Sequence, residues 1–336
     1  MNPFKVGIVG VGSIAQIVHI PILEKMDNVE LVAICDIDKA KVNHLVEKFN
    51  IPRWYSLIDN MVQNEELDAL HICTTSLYHF PMTYLALQRG IHVYVEKPIA
   101  LNAEDAQKIV QLAKEKKRTV MVGMQNRFRD DVQILKEFIQ KDELGEIYYI
   151  KTGWLKRWSK LTIPDWHTKR NYAGGGVLID LGSQLLDLAL FLTALPKIRS
   201  VRLYDYKSNA QMDVEDSALA IIETETQTTI TIEISWRMHM DRDVIYTNIF
   251  GKKGSAYLNP LRINKELHGN LVNVTPMVTE QGGERFKKAY EAEINHFYRV
   301  IQGKEENQSS AEDALYIMRI IDALYKSAQT KREEYL

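Results

Sequence analysis

The chain has 336 residues, 42 basic and 44 acidic side chains and a formal net charge of −2, which at roughly 150 residues per domain is room for two domains. A hydrophobic share of 46% and a charged share of 26% are those of an ordinary globular protein, and so even a charge balance argues against a dedicated nucleic-acid binder. Two cysteines, Cys35 and Cys73, cannot staple a disulfide framework, so a reducing, cytoplasmic setting is expected; no apolar run approaches the ~20 residues of a membrane span, and the first residues run directly into a strand, so neither a membrane segment nor a secretory signal is expected.

The first third alternates strands with helices. Short apolar runs at Lys5–Val9, Leu31–Cys35, Ala69–Cys73, His92–Val95 and Val120–Val122 read as strands. Helices are expected over 14–26 and 38–49, and from a capping-box spacing at Ser56 and Asp59. Two more are expected over Pro81–Arg89, stopped by Gly90, and over Asn102–Lys117, with Asn102 as the N-cap and lysines in its last turn. Nearly continuous apolar strands separated by helices indicate a parallel, doubly wound sheet covered on both faces.

After about residue 125 the texture changes. A helix near Asp130–Lys141 is followed by strand-like segments at Ile147–Trp154, Ser200–Tyr206, Ser217–Glu223, Thr228–Trp236 and Val244–Phe250. Several alternate apolar with polar residues, which suits a sheet with two different faces. Gly251–Gly254 reads as a hairpin turn into Ser255–Leu258. Helices are expected near Val177–Leu192, Glu284–Gln302 and Ala311–Ala328. The expected division is residues 1–125, an α/β nucleotide-binding domain, and residues 126–336, an α+β domain built on a large, mostly antiparallel open sheet.

Three local patterns carry chemistry. Gly10-Val11-Gly12-Ser13-Ile14-Ala15 is a G-x-G-x-x-A turn between a strand and a helix, suited to a pyrophosphate at the helix N-terminus. Asp36 ends the second strand, where an acceptor for ribose hydroxyls belongs; no arginine follows at once, which favours NAD over NADP. A tight turn without a ligand is the plainer reading of the glycines alone. Glu96-Lys97-Pro98 ends another strand and so faces a ligand crevice, although a surface ion pair would leave the same trace. Gly174-Gly175-Gly176 opens an apolar helix on which Asp180, Gln184 and Asp187 share a face. That polar stripe needs partners or a ligand. Arg127 and Arg129 fit either the ligand or salt bridges at the junction. The histidines are scattered and no Cys/His cluster has ligand spacing, so no metal is expected.

These patterns, in this order and over essentially the whole chain, resemble the glucose–fructose oxidoreductase/inositol dehydrogenase/MocA family. The resemblance implies an N-terminal Rossmann domain holding NAD, with NADP less favoured, through Gly10, Gly12, Ser13, Ile14, Ala15, Asp36, Thr74, Thr75, His79, Glu96 and Lys97. It implies a sugar, inositol or related polyol as substrate beside the second domain's sheet, and homodimers or homotetramers packed through that sheet. Lys97 matches the lysine at the reacting oxygen, and Asp180 the acid that holds substrate. Where the family motif has a proton-carrying histidine, this chain has Gln184, which hydrogen-bonds but exchanges no proton near neutral pH. Lys97, Tyr172, Lys169 and His167 are then the candidate proton carriers, the last three from the stretch 164–172, where Trp166 could also pack on a sugar face. Hydride transfer between the nicotinamide and a secondary hydroxyl or ketone is the leading expectation. Cofactor- and sugar-binding regulation without turnover, and NAD-dependent glycosidase chemistry, are the alternatives.

Overall fold

The computed structural model describes residues 2–159, 165–208, 211–277 and 283–336. The chain divides into two compact units. One runs up to Met124 and takes in Tyr290–Leu315; the other comprises Gln125–Ala289 and Tyr316–Leu336. The first boundary falls where the texture of the sequence changes. The return of residues 290–315 to the first unit has no counterpart in the division expected from sequence.

The first unit carries six parallel strands: β1 (Phe4–Val9), β2 (Val29–Cys35), β3 (Arg53–Tyr55), β4 (Ala69–Ile72), β5 (His92–Glu96) and β6 (Val120–Gly123). Their order is β3-β2-β1-β4-β5-β6, the doubly wound arrangement with its switch point between β1 and β4. The core strand β4 is buried along its whole length, and β5 is buried from Val93 onward. The edge strand β3 is half-exposed and too short to show a period. Asp38 caps the helix Lys39–Phe49 by accepting from the Lys41 N–H, and Asn102 caps Ala103–Lys116 by accepting from Asp105. Ser56 is not a cap: Leu57, itself extended, takes the N-cap position without a side-chain bond, and the helix starts at Ile58. The helix after β1 opens with a wide turn at Ala15–His19 and ends at Leu23, short of the expected residue 26. Tyr290, Ile294, Phe297 and Tyr298 join Val6, Ile8, Val18 and Ile20 in one core, which explains the return of the chain.

The second unit is built on nine strands: β7 (Ile147–Arg157), β8 (Ile198–Tyr206), β9 (Ser217–Thr224), β10 (Thr229–Met238), β11 (Val244–Gly251), β12 (Gly254–Leu258), β13 (Arg262–Leu267), β14 (Asn270–Asn273) and β15 (Glu334–Tyr335). The order is β14-β13-β12-β11-β7-β10-β9-β8-β15. The pairing is antiparallel except between β7 and β10. Lys252 and Lys253 form the loop between β11 and β12, as the glycines around them suggest. The hairpin β13–β14 turns through His268 and Gly269, both at positive φ (54° and 77°), as a twisted two-residue turn requires. Along β9 buried and half-buried residues alternate strictly, so one face meets the core. The helix Ser183–Leu192 has all ten of its residues buried. With the turns before it, the stretch Arg170–Leu192 reaches the length and apolarity of a membrane span, which the sequence reading did not anticipate; 94% of its apolar window is buried inside the protein, as for a core helix.

Candidate functional site

The phosphate-binding turn is built by sterics. Gly10 has φ +82°, and a methyl group on it would stand 2.7 Å from the carbonyl carbon of Cys73 and the nitrogen of Thr74. The turn therefore packs directly on the loop after β4, held by the Gly10 N–H donating to Cys35 O and the Cys73 N–H donating to Val9 O, both at 2.8 Å. Gly12 differs: a methyl there would meet nothing within 4 Å. Its missing side chain leaves open space over the start of the helix, where a pyrophosphate would lie. Asp36 is half-buried. Its Oδ2 accepts from the Val11 N–H at 2.8 Å and its Oδ1 from the Asp38 N–H at 3.0 Å. Each oxygen retains a lone pair for a ribose hydroxyl. Ile37, beside it, is an apolar side chain left 84% exposed. Ser13 is exposed, Ile14 half-buried, and Ala15 fully buried where the helix meets the sheet. These residues fit a dinucleotide.

The neighbouring loops are tied together by His79. It is 1% exposed, and its two ring nitrogens face backbone carbonyls: Nδ1 lies 2.6 Å from Pro98 O and Nε2 3.0 Å from Thr74 O. Burial lowers its pKa, while the two carbonyls oppose that shift. His79 thus joins the loop after β4 to the loop after β5, and its nitrogens are already committed. Thr74 and Thr75 are half-buried, with the Thr74 hydroxyl donating to Thr75 O. Glu96 and Lys97 stand at the carboxyl end of β5; Glu96 is 8% exposed and Lys97 half-buried. Oε1 of Glu96 lies 2.9 Å from Nε2 of the fully buried His19.

In the second unit the three glycines serve packing. A methyl on Gly175 would overlap the Tyr325 hydroxyl, and one on Gly176 the Glu215 carbonyl oxygen. Glu215, 4% exposed, accepts from the N–H groups of Gly176 and Leu178 and from the Tyr325 hydroxyl at 2.9–3.1 Å. Burial raises its pKa, against the pull of these hydrogen bonds. The segment is thereby pinned just ahead of a wide helical turn at Leu178–Gly182, which presents Asp180. Oδ2 of Asp180 accepts from the indole N–H of Trp236 at 2.9 Å.

Gln184 is 6% exposed. Its amide donates to Asp180 O at 3.1 Å and accepts from the Gln125 amide at 3.3 Å. Asp187 belongs to a different pair. Its carboxylate accepts a fork of hydrogen bonds from Arg127 at 2.6–3.0 Å, with each residue 1% exposed. Arg129 pairs with Asp131 and Asn259, so both arginines form internal bridges.

Of the preceding loop, Pro164 lies outside the described residues. The His167 ring lies 3.7 Å from that of Trp166 and meets Trp236 edge-on at 6.4 Å, so the loop flanks the residue that holds Asp180. Lys169 is exposed, and Tyr172 is 44% exposed. The structure thus groups Asp180, Gln184, Trp236 and His167. Trp236 and Gln125 escape a sequence reading because they come from a distant strand and a distant turn, with no motif around them. Among the described residues no group of three or more His, Cys, Asp or Glu could hold a metal.

Comparison with known proteins agrees with both halves. Residues 4–124 match an oxidoreductase family with an NAD-binding Rossmann fold, and residues 136–335 match the C-terminal α/β domain of the same family. The D-glucoside 3-dehydrogenase of Escherichia coli is 29% identical, covering 98% of this chain and 96% of its own. The myo-inositol 2-dehydrogenase of Thermotoga maritima is 22% identical, covering 98% and 97%. Among solved structures, the WlbA dehydrogenase of Bordetella pertussis in complex with NADH and UDP-GlcNAcA superposes with a TM-score of 0.85. It is 23% identical and covers 100% of this chain and 99% of its own.

Proposed function

Because the chain belongs to the Gfo/Idh/MocA oxidoreductase family and is an NAD(P)-dependent dehydrogenase acting on CH–OH groups, we propose that it transfers hydride between NAD(H) and a secondary hydroxyl or ketone of a sugar, inositol or related polyol. The observation that carries the cofactor half is the open space over Gly12, with the Asp36 carboxylate tied to the same turn. A carboxylate at that point accepts from the 2′-hydroxyl of NAD and repels the 2′-phosphate of NADP. When bound, the nicotinamide supplies or accepts the hydride; the protein supplies positioning and electrostatics.

Asp180, oriented by Trp236, holds substrate hydroxyls, with Gln184, Trp166 and Lys169 as further contacts. Gln184 orients only, since both sides of its amide are engaged and an amide neither gains nor loses a proton as an acid or base near neutral pH. Lys97 then takes the reacting oxygen and its proton, with Tyr172 the second candidate for the proton. The two non-dehydrogenase readings gain no support from these features. Lys97→Ala should lower turnover about a thousandfold while leaving the NADH Kd within about threefold. The test is a panel of D-glucosides, inositols and nucleotide sugars followed at the NADH absorbance; unchanged turnover in the variant overturns the assignment.

We further propose a cytoplasmic homodimer or homotetramer assembled through the nine-stranded sheet, where Tyr148, Tyr204 and Tyr206 are exposed. Light scattering should give a mass of at least twice 38.8 kDa; a monomer at micromolar concentration would refute it.

A further inference from the structure

A row of polar groups runs through the apolar core of the first unit. His19 and His71 are each 0% exposed and Tyr298 is 1% exposed. Tyr298 Oη lies 2.9 Å from His71 Nε2, His71 Nδ1 lies 3.0 Å from His19 Nδ1, and His19 Nε2 lies 2.9 Å from Glu96 Oε1. The surroundings fix the arrangement. Tyr94 stacks on His71, with centroids 5.0 Å apart and planes 12° apart, and its hydroxyl donates to Glu293 Oε2 at 2.7 Å. Glu293 Oε1 accepts from the Met124 N–H at 2.6 Å.

One proton assignment satisfies every atom. A carboxylate only accepts, so His19 Nε2–H donates to Glu96. Burial, with His19 beside it, holds the His71 pKa well below the usual value, so His71 carries a single ring proton. If that proton sat on Nε2, the Tyr298 hydroxyl hydrogen would have no acceptor among the described residues. It therefore sits on Nδ1 and points at His19. The donors run in one direction, Tyr298 to His71 to His19 to Glu96. Such a chain is a costly way to fill a core that aliphatic side chains would fill without hydrogen-bonding demands. Its outcome is at Glu96, whose Oε1 is consumed while Oε2 has no partner among the described residues. The Glu96 side chain is 10% exposed at the end of β5.

We infer that His19, His71 and Tyr298 are positioning residues that fix the Glu96 carboxylate so that Oε2 accepts a hydrogen bond from a ribose hydroxyl of the bound dinucleotide. The inference rests on the cofactor half of the proposed function. It is tested by titrating NADH, followed by its fluorescence and without substrate, into the wild type, His71→Phe, Glu96→Gln and the double variant. Each single change should weaken NADH about tenfold, the loss of one hydrogen bond to a charged acceptor. The double variant should bind no more weakly than Glu96→Gln alone, since His71 acts only through Glu96. A role confined to core stability would lower the melting temperature without this non-additivity.

Tyr298→Phe removes one hydroxyl and keeps the ring. It carries the same cycle if His71→Phe does not fold, with an expected loss of about threefold that vanishes in the Glu96→Gln background. Additive losses, or wild-type affinity in the histidine and tyrosine variants, overturn the inference. So does a rise confined to the sugar KM, which would assign Oε2 to the substrate. A wild type that binds no NADH would refute the cofactor reading itself.

Discussion

Gly10 and Gly12 lie two residues apart and answer to different constraints. Gly10 sits at positive φ with backbone 2.7 Å from where a methyl would go, so it is required for folding. Gly12 has open space above it, so on the proposed reading its requirement comes from the ligand. Gly10→Ala should cost about 2–4 kcal/mol of stability, read as a lowered urea midpoint. Gly12→Ala should change stability by less than about 0.5 kcal/mol yet weaken NADH at least tenfold. Equal effects on stability would show that the turn is one steric unit. A glycine pattern alone does not separate the two roles, because both leave the same letter in the sequence. Asp36 was legible because strand, turn and acid fall at a fixed spacing. The His19–His71 chain was not, because its members come from two helices and from two strands and meet only when the sheet is wound.

At the scale of the element, the helix carrying Asp180 shows what periodicity can resolve. Spacing places Asp180, Gln184 and Asp187 on one face, and the fold then separates them. Asp180 is held by Trp236, Gln184 closes back on the helix backbone, and Asp187 is sequestered by Arg127. The sequence could state that the stripe needs partners but not which partner lay on another element. Arg127→Leu leaves a buried carboxylate uncompensated and should destabilise by about 3–5 kcal/mol; adding Asp187→Leu should recover most of that loss. Denaturant titration of the single and double variants checks it, and an equally unstable double variant would place the cost in lost packing. The short edge strands β3, β14 and β15, and β13 beside one of them, went unread for a related reason. They are brief and polar, and an edge strand draws its identity from the neighbour it pairs with.

For the whole molecule, the buried histidines set the response to acid. Burial lowers the pKa of His71 and His79, and lowers that of His92 to about 4 with Arg118 adding to the shift. Unfolded, each titrates near its ordinary value of about 6.5. Below that pH the unfolded chain binds protons that the folded chain refuses, so stability falls as the pH drops from about 6.5 toward 4. Carboxylates whose pKa is lowered on folding, such as Glu305, act mainly below their ordinary 4.5, and Glu215, raised by burial, opposes three histidines with one group. Urea midpoints should therefore be lower at pH 5 than at pH 7; a flat profile would mean that the folded protein takes up those protons too.

The path of the chain has a consequence of another kind. It passes from one unit to the other after Met124, after Ala289 and after Leu315. Tyr290, Ile294, Phe297 and Tyr298 complete the core of the dinucleotide half, so that half is not encoded by one uninterrupted stretch. A gene fragment ending at the glycine-rich segment or at the junction would specify a sheet without its last layer. The nucleotide-binding half is therefore not a portable cassette: recombination that exchanges substrate domains must leave residues 290–315 behind, or carry both halves together.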